Sequence, residues 1–165
     1  MKPLTAISGR TIELRPLGTD ATDLTGVLAE VELLRTWRNA FEIGRWFGDQ
    51  GPIQPAQHAE WVQRYFADDG DVTWIIKRRI AAQWRSGHAE ALEAVGALSL
   101  CNIDREKRKA EIGRMMVAVL AQGHGYATEA VRLVIAAAKG IGIAEIRLTV
   151  RPDNTRAISL YGSCG

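Results

Sequence analysis

Gln122-Gly123-His124-Gly125-Tyr126-Ala127 is the stretch whose residue types point most directly to chemistry. It follows a strand-like run, Glu111 to Val119, and opens an amphipathic helical run, Ala127 to Ala138. Glycine lets the chain turn tightly and lets a ligand approach the backbone. The N–H groups of a first helical turn have no internal partner, and the helix dipole adds partial positive charge there. Such a turn suits a phosphate. Two well-known phosphate loops fail on named residues. A P-loop needs Lys-Ser or Lys-Thr after its last glycine, where this chain has Tyr126-Ala127. A dinucleotide fingerprint needs a third spaced glycine, and Thr128 takes its place. Gly140-Ile141-Gly142 ends a helix rather than opening one.

The turn must be held by a frame, and the frame is legible as alternation and helical periodicity. Thr11 to Arg15 alternates as a first strand, with Pro16 after it. Thr19-Asp20 offers an N-cap to a helix marked by Leu24, Val27, Leu28, Val31 and Leu34, which runs out near Trp37-Arg38-Asn39. Phe41 to Ile53 predicts a loop with a short helix. Pro55 opens a second helix whose apolar face is Ala59, Val62, Tyr65 and Phe66. Strands follow at Val72–Ile76, Val95–Ile103 and Lys109–Val119, the last with Gly113 inside it, a sign of a bulge or of close approach by another backbone. Arg79 to Glu93 is too long for a tight hairpin, and its Ala, Glu, Arg and Gln content suits a short helix. Ile146, Leu148 and Val150 alternate as a strand, and Asn154 or Thr155 can cap a last helix, Arg156 to Tyr161. Three consecutive strands predict an antiparallel meander, and the later strand–helix–strand crossover requires a parallel pairing. The expected fold class is α/β, a mixed sheet with helices on both faces.

The 165 residues predict one domain, residues 1–165. An apolar share of 47% and a charged share of 24% are those of a soluble globular protein. A net charge of +2 gives no nucleic-acid signature, and the basic runs Lys77-Arg78-Arg79 and Arg105 to Lys109 read as solvated edges. The start lacks the apolar stretch of a signal peptide, and no run is long enough to span a membrane. Cys101 and Cys164 lie far apart, and no His/Cys/Asp spacing suits zinc, so no metal is expected. Cytoplasmic placement follows, with Cys101 a small core residue.

The glycine turn together with the tail carries a family resemblance. Gln122 to Ala127 resembles the pyrophosphate-loop signature Gln/Arg-x-x-Gly-x-Gly/Ala of the GNAT superfamily of N-acetyltransferases. Asn154-Thr155-Arg156-Ala157-Ile158-Ser159-Leu160-Tyr161 is similar to that superfamily's Asn-x-x-Ala-x-x-Leu-Tyr block. Leu14-Arg15-Pro16-Leu17, Trp37-Arg38-Asn39 and Ala110-Glu111-Ile112-Gly113 resemble the branch holding ribosomal-protein and amino-sugar acetyltransferases. The resemblance implies a three-layer fold, mostly antiparallel with one splayed parallel pair. It implies acetyl-CoA as acetyl donor, lying in the opening between the strand ending near Val119 and the strand Glu145–Val150. Gly123, His124, Gly125, Tyr126 and Ala127, with Gln122, would meet its pyrophosphate. Met116, Val117 and Ala118 would pair with its pantetheine arm as an added strand would. Asn154 would touch it near the reacting end. His124 would use its backbone N–H, with the ring in solvent.

The implied reaction is direct acetyl transfer to a primary amine in a ternary complex. Glu111 is the candidate base or amine-orienting residue, weighed against a surface carboxylate paired with Lys107 or Lys109. Tyr161 is the candidate acid, a phenol whose ordinary pKa is about 10. A backbone N–H near Val117 would stabilise the developing oxyanion. Trp37, Arg38 and Asn39 stand where the family places acceptor-binding residues, and Trp46 lies in the loop beyond. The acceptor is expected to be an amino sugar or nucleotide sugar, another small amine, or a protein N-terminus, with no nucleic-acid or membrane partner. The superfamily usually continues with Gly-Phe and further strands, so the last strands are expected to be missing. That reads as a fragment, an open site, or a site completed by a second copy in a homodimer. The alternative reading from the same observation is a non-catalytic acyl-CoA-binding or interaction module.

Overall fold

The computed structural model describes residues 5–18, 24–48, 51–84 and 87–165, the side chains of 81–90 excepted. Its centre is a six-stranded sheet in sequential order, β1 (Ile7–Ser8), β2 (Ile12–Pro16), β3 (Val72–Trp84), β4 (Gly87–Asp104), β5 (Lys109–Val117) and β6 (Glu145–Arg147). The first five strands pair antiparallel, and β5 pairs parallel with β6. The helices are α1 (Leu24–Asn39), α2 (Phe41–Gly44), α3 (Pro55–Ala67), α4 (Tyr126–Gly140) and α5 (Thr155–Gly162), with a 3-10 turn at Val119–Ala121. None is long and apolar enough to cross a membrane among the described residues.

Alternation along the strands divides the core in two. Leu14, Trp74, Ile76, Leu98, Leu100 and Ile112 meet Ala130, Val131, Val134 and Ala138 of α4 on one face. Ile75, Ala97 and Met116 meet Leu34 and Trp37 of α1, Ile43 of α2 and Tyr65 of α3 on the other. The result is the mixed three-layer α/β architecture that the element order predicts.

Three expectations change. Arg79 to Glu93 forms no helix: β3 and β4 extend through it as one antiparallel ladder, from Lys77↔Ala94 to Trp84↔Gly87. Strand pairing overrides the helical preference of its alanines and glutamates, and the tip, 85–86, lies outside the described residues. The last strand stops at Arg147 rather than Val150, because β5 offers a partner only over Lys109–Glu111. Leu148 to Val150 keep the alternating pattern but have no ladder to join. The strand expected to reach Val119 ends at Val117, and Val119 opens the 3-10 turn instead. The proposed cap Thr19-Asp20 lies outside the described residues. At the other end of the chain the cap is Asn154, whose Oδ1 accepts from Ala157 N at 3.1 Å.

Candidate active site

The separation of β5 from β6 has a local cause. On β4, Ala97 faces Met116 and Ser99 faces Gly113, so Leu98 alone stands opposite Arg114 and Met115. This extra residue on β5 is a β-bulge, and Arg114 holds φ 51 within it. A bulge bends its strand and increases local twist, so β5 leaves the line of β6 beyond Glu111. Gly113 predicted a bulge nearby, yet it does not itself require the absence of a side chain: a Cβ there would meet only Cys101 Sγ at 3.5 Å. The close approach is across the ladder at Gly96, where a Cβ would lie 2.3 Å from Met116 O.

Into this gap opens a cleft of about 640 Å³, walled by Gly113 to Val117 on one side and Thr149 to Arg151 on the other. Its floor is the glycine turn. Gly123 and Gly125 take φ 85 and φ 80, and no atom lies within 4 Å of where their Cβ atoms would be. The first α4 amide to find a helical acceptor is Glu129 N, which donates to Gly125 O at 3.1 Å. The N–H groups of Tyr126, Ala127 and Thr128 are thus left for an external acceptor. The cradle therefore has the open space and the unused donors that a diphosphate needs.

Gln122 holds the cradle to both flanks. Its Nε2 donates to Val117 O at 3.0 Å, and its Oε1 accepts from Arg156 at 2.7 Å. Ala118 N donates to Val95 O at 2.8 Å. In an antiparallel ladder this makes Gly96/Val117 the non-bonded pair, so both backbone groups of Val117 face away from β4. Gln122 takes the carbonyl, and the N–H remains for the cleft.

Glu111 and Tyr161 both line the cleft and are half-buried. Glu111 is not the lysine-paired surface carboxylate: Lys107 pairs with Asp104 at 3.1 Å and Lys109 with Glu145 at 2.9 Å. Its Oε2 instead accepts from Asn102 Nδ2 at 3.1 Å. Burial raises the Tyr161 phenol above its ordinary value, with Cys164 adding to the effect, so the hydroxyl keeps its proton at neutral pH.

The other expected site residues divide. Met116, Val117, Gln122, Gly123, Gly125, Tyr126, Ala127, Asn154 and Trp46 line the cleft. Ala118 does not, because its N–H belongs to the β4 ladder. The His124 ring is exposed as expected but lies off the cleft. It stacks on Tyr126 at 5.4 Å, and its Nδ1–H donates to Gln122 O at 3.0 Å, which stiffens the turn. Asn154 spends its side-chain oxygen on the α5 cap. Trp37 is buried in the core under α1, where it touches neither cleft nor cavity. Asn39 is committed at both ends to residue 53: Nδ2 donates to Ile53 O at 3.0 Å, and Oδ1 accepts from Ile53 N at 2.7 Å. Arg38 lines a second cavity on the α1–α3 side.

A sequence profile described as acetyltransferase (GNAT) domain matches residues 11–165. The chain belongs to that family. It is accordingly an acyltransferase of the N-acetyltransferase class. Solved structures share the fold at low identity. A domain from Methanocaldococcus jannaschii DSM 2661 has a TM-score of 0.72 at 23% identity, covering 92% of this chain and 85% of that one. Spermidine N-acetyltransferase from Vibrio cholerae, in complex with CoA and spermine, has 0.73 at 19%, covering 94% and 80%. A probable GNAT-family acetyltransferase from Chromobacterium violaceum ATCC 12472 has 0.72 at 18%, covering 100% and 75%. No curated protein matches by sequence.

This GNAT domain also shows cleft residues that its sequence does not advertise. Arg156 sits inside the Asn154–Tyr161 block at a spacer position, yet it reaches the glycine turn through Gln122. Its place in the first turn of α5, one helix across from the cradle, is the signal that was there to find. Arg114 had no such signal, because only the bulge decides where its side chain goes. Among the described residues no cluster of His, Cys, Asp or Glu is placed to hold a metal.

Proposed function

We propose that this chain transfers an acetyl group from acetyl-CoA to a primary amine, both bound together. The observation that carries the reading is the cleft itself. Unpaired α4 amides, the free Val117 N–H, Glu111 and Tyr161 all front one opening between β5 and β6. Family membership favours this enzyme over the non-catalytic module.

Acetyl-CoA, when bound, supplies an activated acyl carbon. The N–H groups of Tyr126, Ala127 and Thr128 hold its diphosphate, with Arg156 beside them as a further cation. The Val117 N–H is a fixed donor for an acyl oxygen and needs no reorganisation when charge develops there. An alkylammonium must lose a proton before it can attack, since its pKa is near 10. Glu111 Oε accepts that proton directly or through one water, while Asn102 fixes the carboxylate's orientation. The Tyr161 hydroxyl holds its proton at neutral pH and passes it to the departing sulfur. The acceptor belongs to the small amines, such as amino sugars or nucleotide sugars, or to protein N-termini. The polyamine named for the Vibrio cholerae relative is a further member of the first class.

Calorimetry with CoA and thiol release across an amine panel test the reading. CoA is expected to bind, and Tyr161→Phe to lower turnover with little change in CoA affinity. Absence of CoA binding, with Gly125→Ala behaving as the parent, refutes it. An unchanged rate in Tyr161→Phe at every pH removes Tyr161 from its role.

A further inference from the structure

A second cavity, of about 510 Å³, lies on the α1–α3 face of the sheet. Phe47, Arg114 and Met116 line both it and the cleft, so the two spaces adjoin at these residues. Aromatic groups form part of its wall. The His58 ring stacks on Trp61 at 5.3 Å, and Phe47 lies at the boundary with the cleft.

Its charges are unbalanced. Three guanidinium groups line it, Arg38, Arg64 and Arg114, against one carboxylate, Glu60. Arg114 is compensated by Asp71 at 2.8 Å. Arg38 is not. Its nitrogens donate only to the carbonyls of Gly44 and Phe47, each at 3.3 Å, and its plane lies 4.2 Å from the Phe47 ring centroid. No carboxylate among the described residues pairs with it, and partial burial lowers its pKa, as expected of a half-buried cation without an acidic partner. The Arg64 side chain, exposed at the rim on α3, makes no hydrogen bond or ion pair among the described residues. The Glu60 carboxylate likewise has no hydrogen bond or ion pair among the described residues. With Arg64 and Glu60 exposed at the rim, Arg38 is the cation held in the partly apolar interior, where charge is costly to leave unpaired.

Resting on the reading that the cleft takes the acetyl donor, we infer that this cavity takes the acceptor. We further infer that the acceptor amine carries an anionic group, a carboxylate or a phosphate, which Arg38 and Arg64 receive. The amine end then lies toward Met116 and the cleft. Arg38 can serve as a planar donor while stacked on Phe47, which a lysine in its place would not reproduce. A polycation would bring its charges against the same guanidinium groups.

The test is calorimetric binding of matched amines to the CoA-saturated protein. Glucosamine 6-phosphate against glucosamine forms the phosphate arm, and β-alanine against β-alaninamide the carboxylate arm. Spermidine is the cationic probe. In at least one arm the anionic member is expected to bind roughly tenfold tighter than its neutral partner and than spermidine, the scale of one charge-assisted hydrogen bond. The arm that shows the preference names the anion. Arg64→Gln and Arg38→Gln are each expected to remove most of that advantage while CoA affinity stays within about threefold of the parent's, the Arg64 side chain being exposed and unpaired among the described residues. Arg64→Glu is expected to move the preference toward spermidine. Equal or weaker binding of both anionic members, no amine binding at all, or an anion preference untouched by every substitution overturns the inference. In each of those cases intact CoA binding leaves the donor reading standing. Failure of the parent to bind CoA refutes the donor reading and this inference with it.

Discussion

Gly96→Ala tests how the cleft is shaped. A Cβ at Gly96 would lie 2.3 Å from Met116 O, 3.1 Å from Val117 Cα and 3.2 Å from Met116 C. Separations under 3.0 Å are ones that Cβ atoms essentially never show. All three atoms are backbone, so no side chain can rotate away. β5 must retreat from β4, by an amount on the order of 1 Å, against the Ala118 N→Val95 O bond at 2.8 Å. Overpacking of this kind costs about 1–3 kcal/mol. In a chain of this size each kcal/mol lowers the melting temperature by roughly 2–4 °C. A fall of about 3–10 °C is therefore expected in a thermal melt followed by circular dichroism. The same retreat displaces the Val117 N–H, and a misplacement of about 1 Å can cost up to roughly a hundredfold in rate. Acetyl transfer is expected to fall well beyond what the unfolded fraction explains. Gly113→Ala is the control: its Cβ meets only Cys101 Sγ at 3.5 Å, an ordinary contact, and a change under about 1 kcal/mol is expected. Equal melting temperatures for Gly96→Ala and the parent, or equal losses in the two variants, would refute the reasoning.

Other perturbations probe separate parts. Gly125→Ala places a β-carbon at φ 80, which costs about 1–2 kcal/mol in stability. Its methyl also projects into the open cradle, so calorimetry is expected to show weaker CoA binding beyond the loss of stability. Asn154→Ala removes the α5 cap and about 1 kcal/mol, measured by urea unfolding, and is expected to lower turnover through Tyr161 on the same helix. Arg114→Gly and Arg114→Ala both lose the bond to Asp71, but glycine accepts φ 51. The glycine variant is expected to be more stable by about 1 kcal/mol, and equal denaturation midpoints would deny strain at the bulge. Burial pushes the Cys101 thiol up to about 11 from an ordinary 9.0, with Arg114 pulling the other way. The unfolded thiol ionises first, so its stabilisation is complete below pH 9 and lost as pH rises through 11, by up to about 2.7 kcal/mol. Urea unfolding of Cys101→Ala across that window is expected to show a shallower loss than the parent, and an identical slope would exclude the thiol.

What could be read from the sequence was what residues demand of their own backbone. Gly123 and Gly125 are needed for left-handed φ, and Asn154 for a cap, and each demand is met where it was expected. Demands settled by a partner strand were not legible. Leu148 and Val150 alternate as strand residues do, but β5 has already turned away from them. Ala81, Ala82 and Ala89 look helical, but each pairs across a ladder that begins in the core. Trp37, Arg38 and Asn39 are adjacent in sequence, yet helical geometry points them three ways: into the core, into the second cavity, and onto the 51–53 loop. Gly113 pointed to the bulge that adjoins it, while the close backbone approach it also suggested falls on Gly96, one strand over.

A single irregularity lies between the cleft and the second cavity. If β5 kept register with β4 through Arg114 and Met115, side chains would alternate without interruption, and the strand would run on beside β6. The extra residue breaks both conditions. It turns β5 away from β6, which opens the cleft and leaves Val117 N–H without a strand partner. It also changes which face the following residues address. Met116 enters the α1–α3 core while Met115 packs on the α4 side. The Arg114 guanidinium reaches Asp71 and Cys101 under the second cavity, 5.6 Å from the Trp61 ring centroid. A left-handed arginine costs on the order of 1 kcal/mol, and the partly buried pair with Asp71 offsets a similar amount. The strain therefore persists at little net cost. On the proposed reading, its position sets where an acetyl donor on one side of Met116 and an amine on the other would meet.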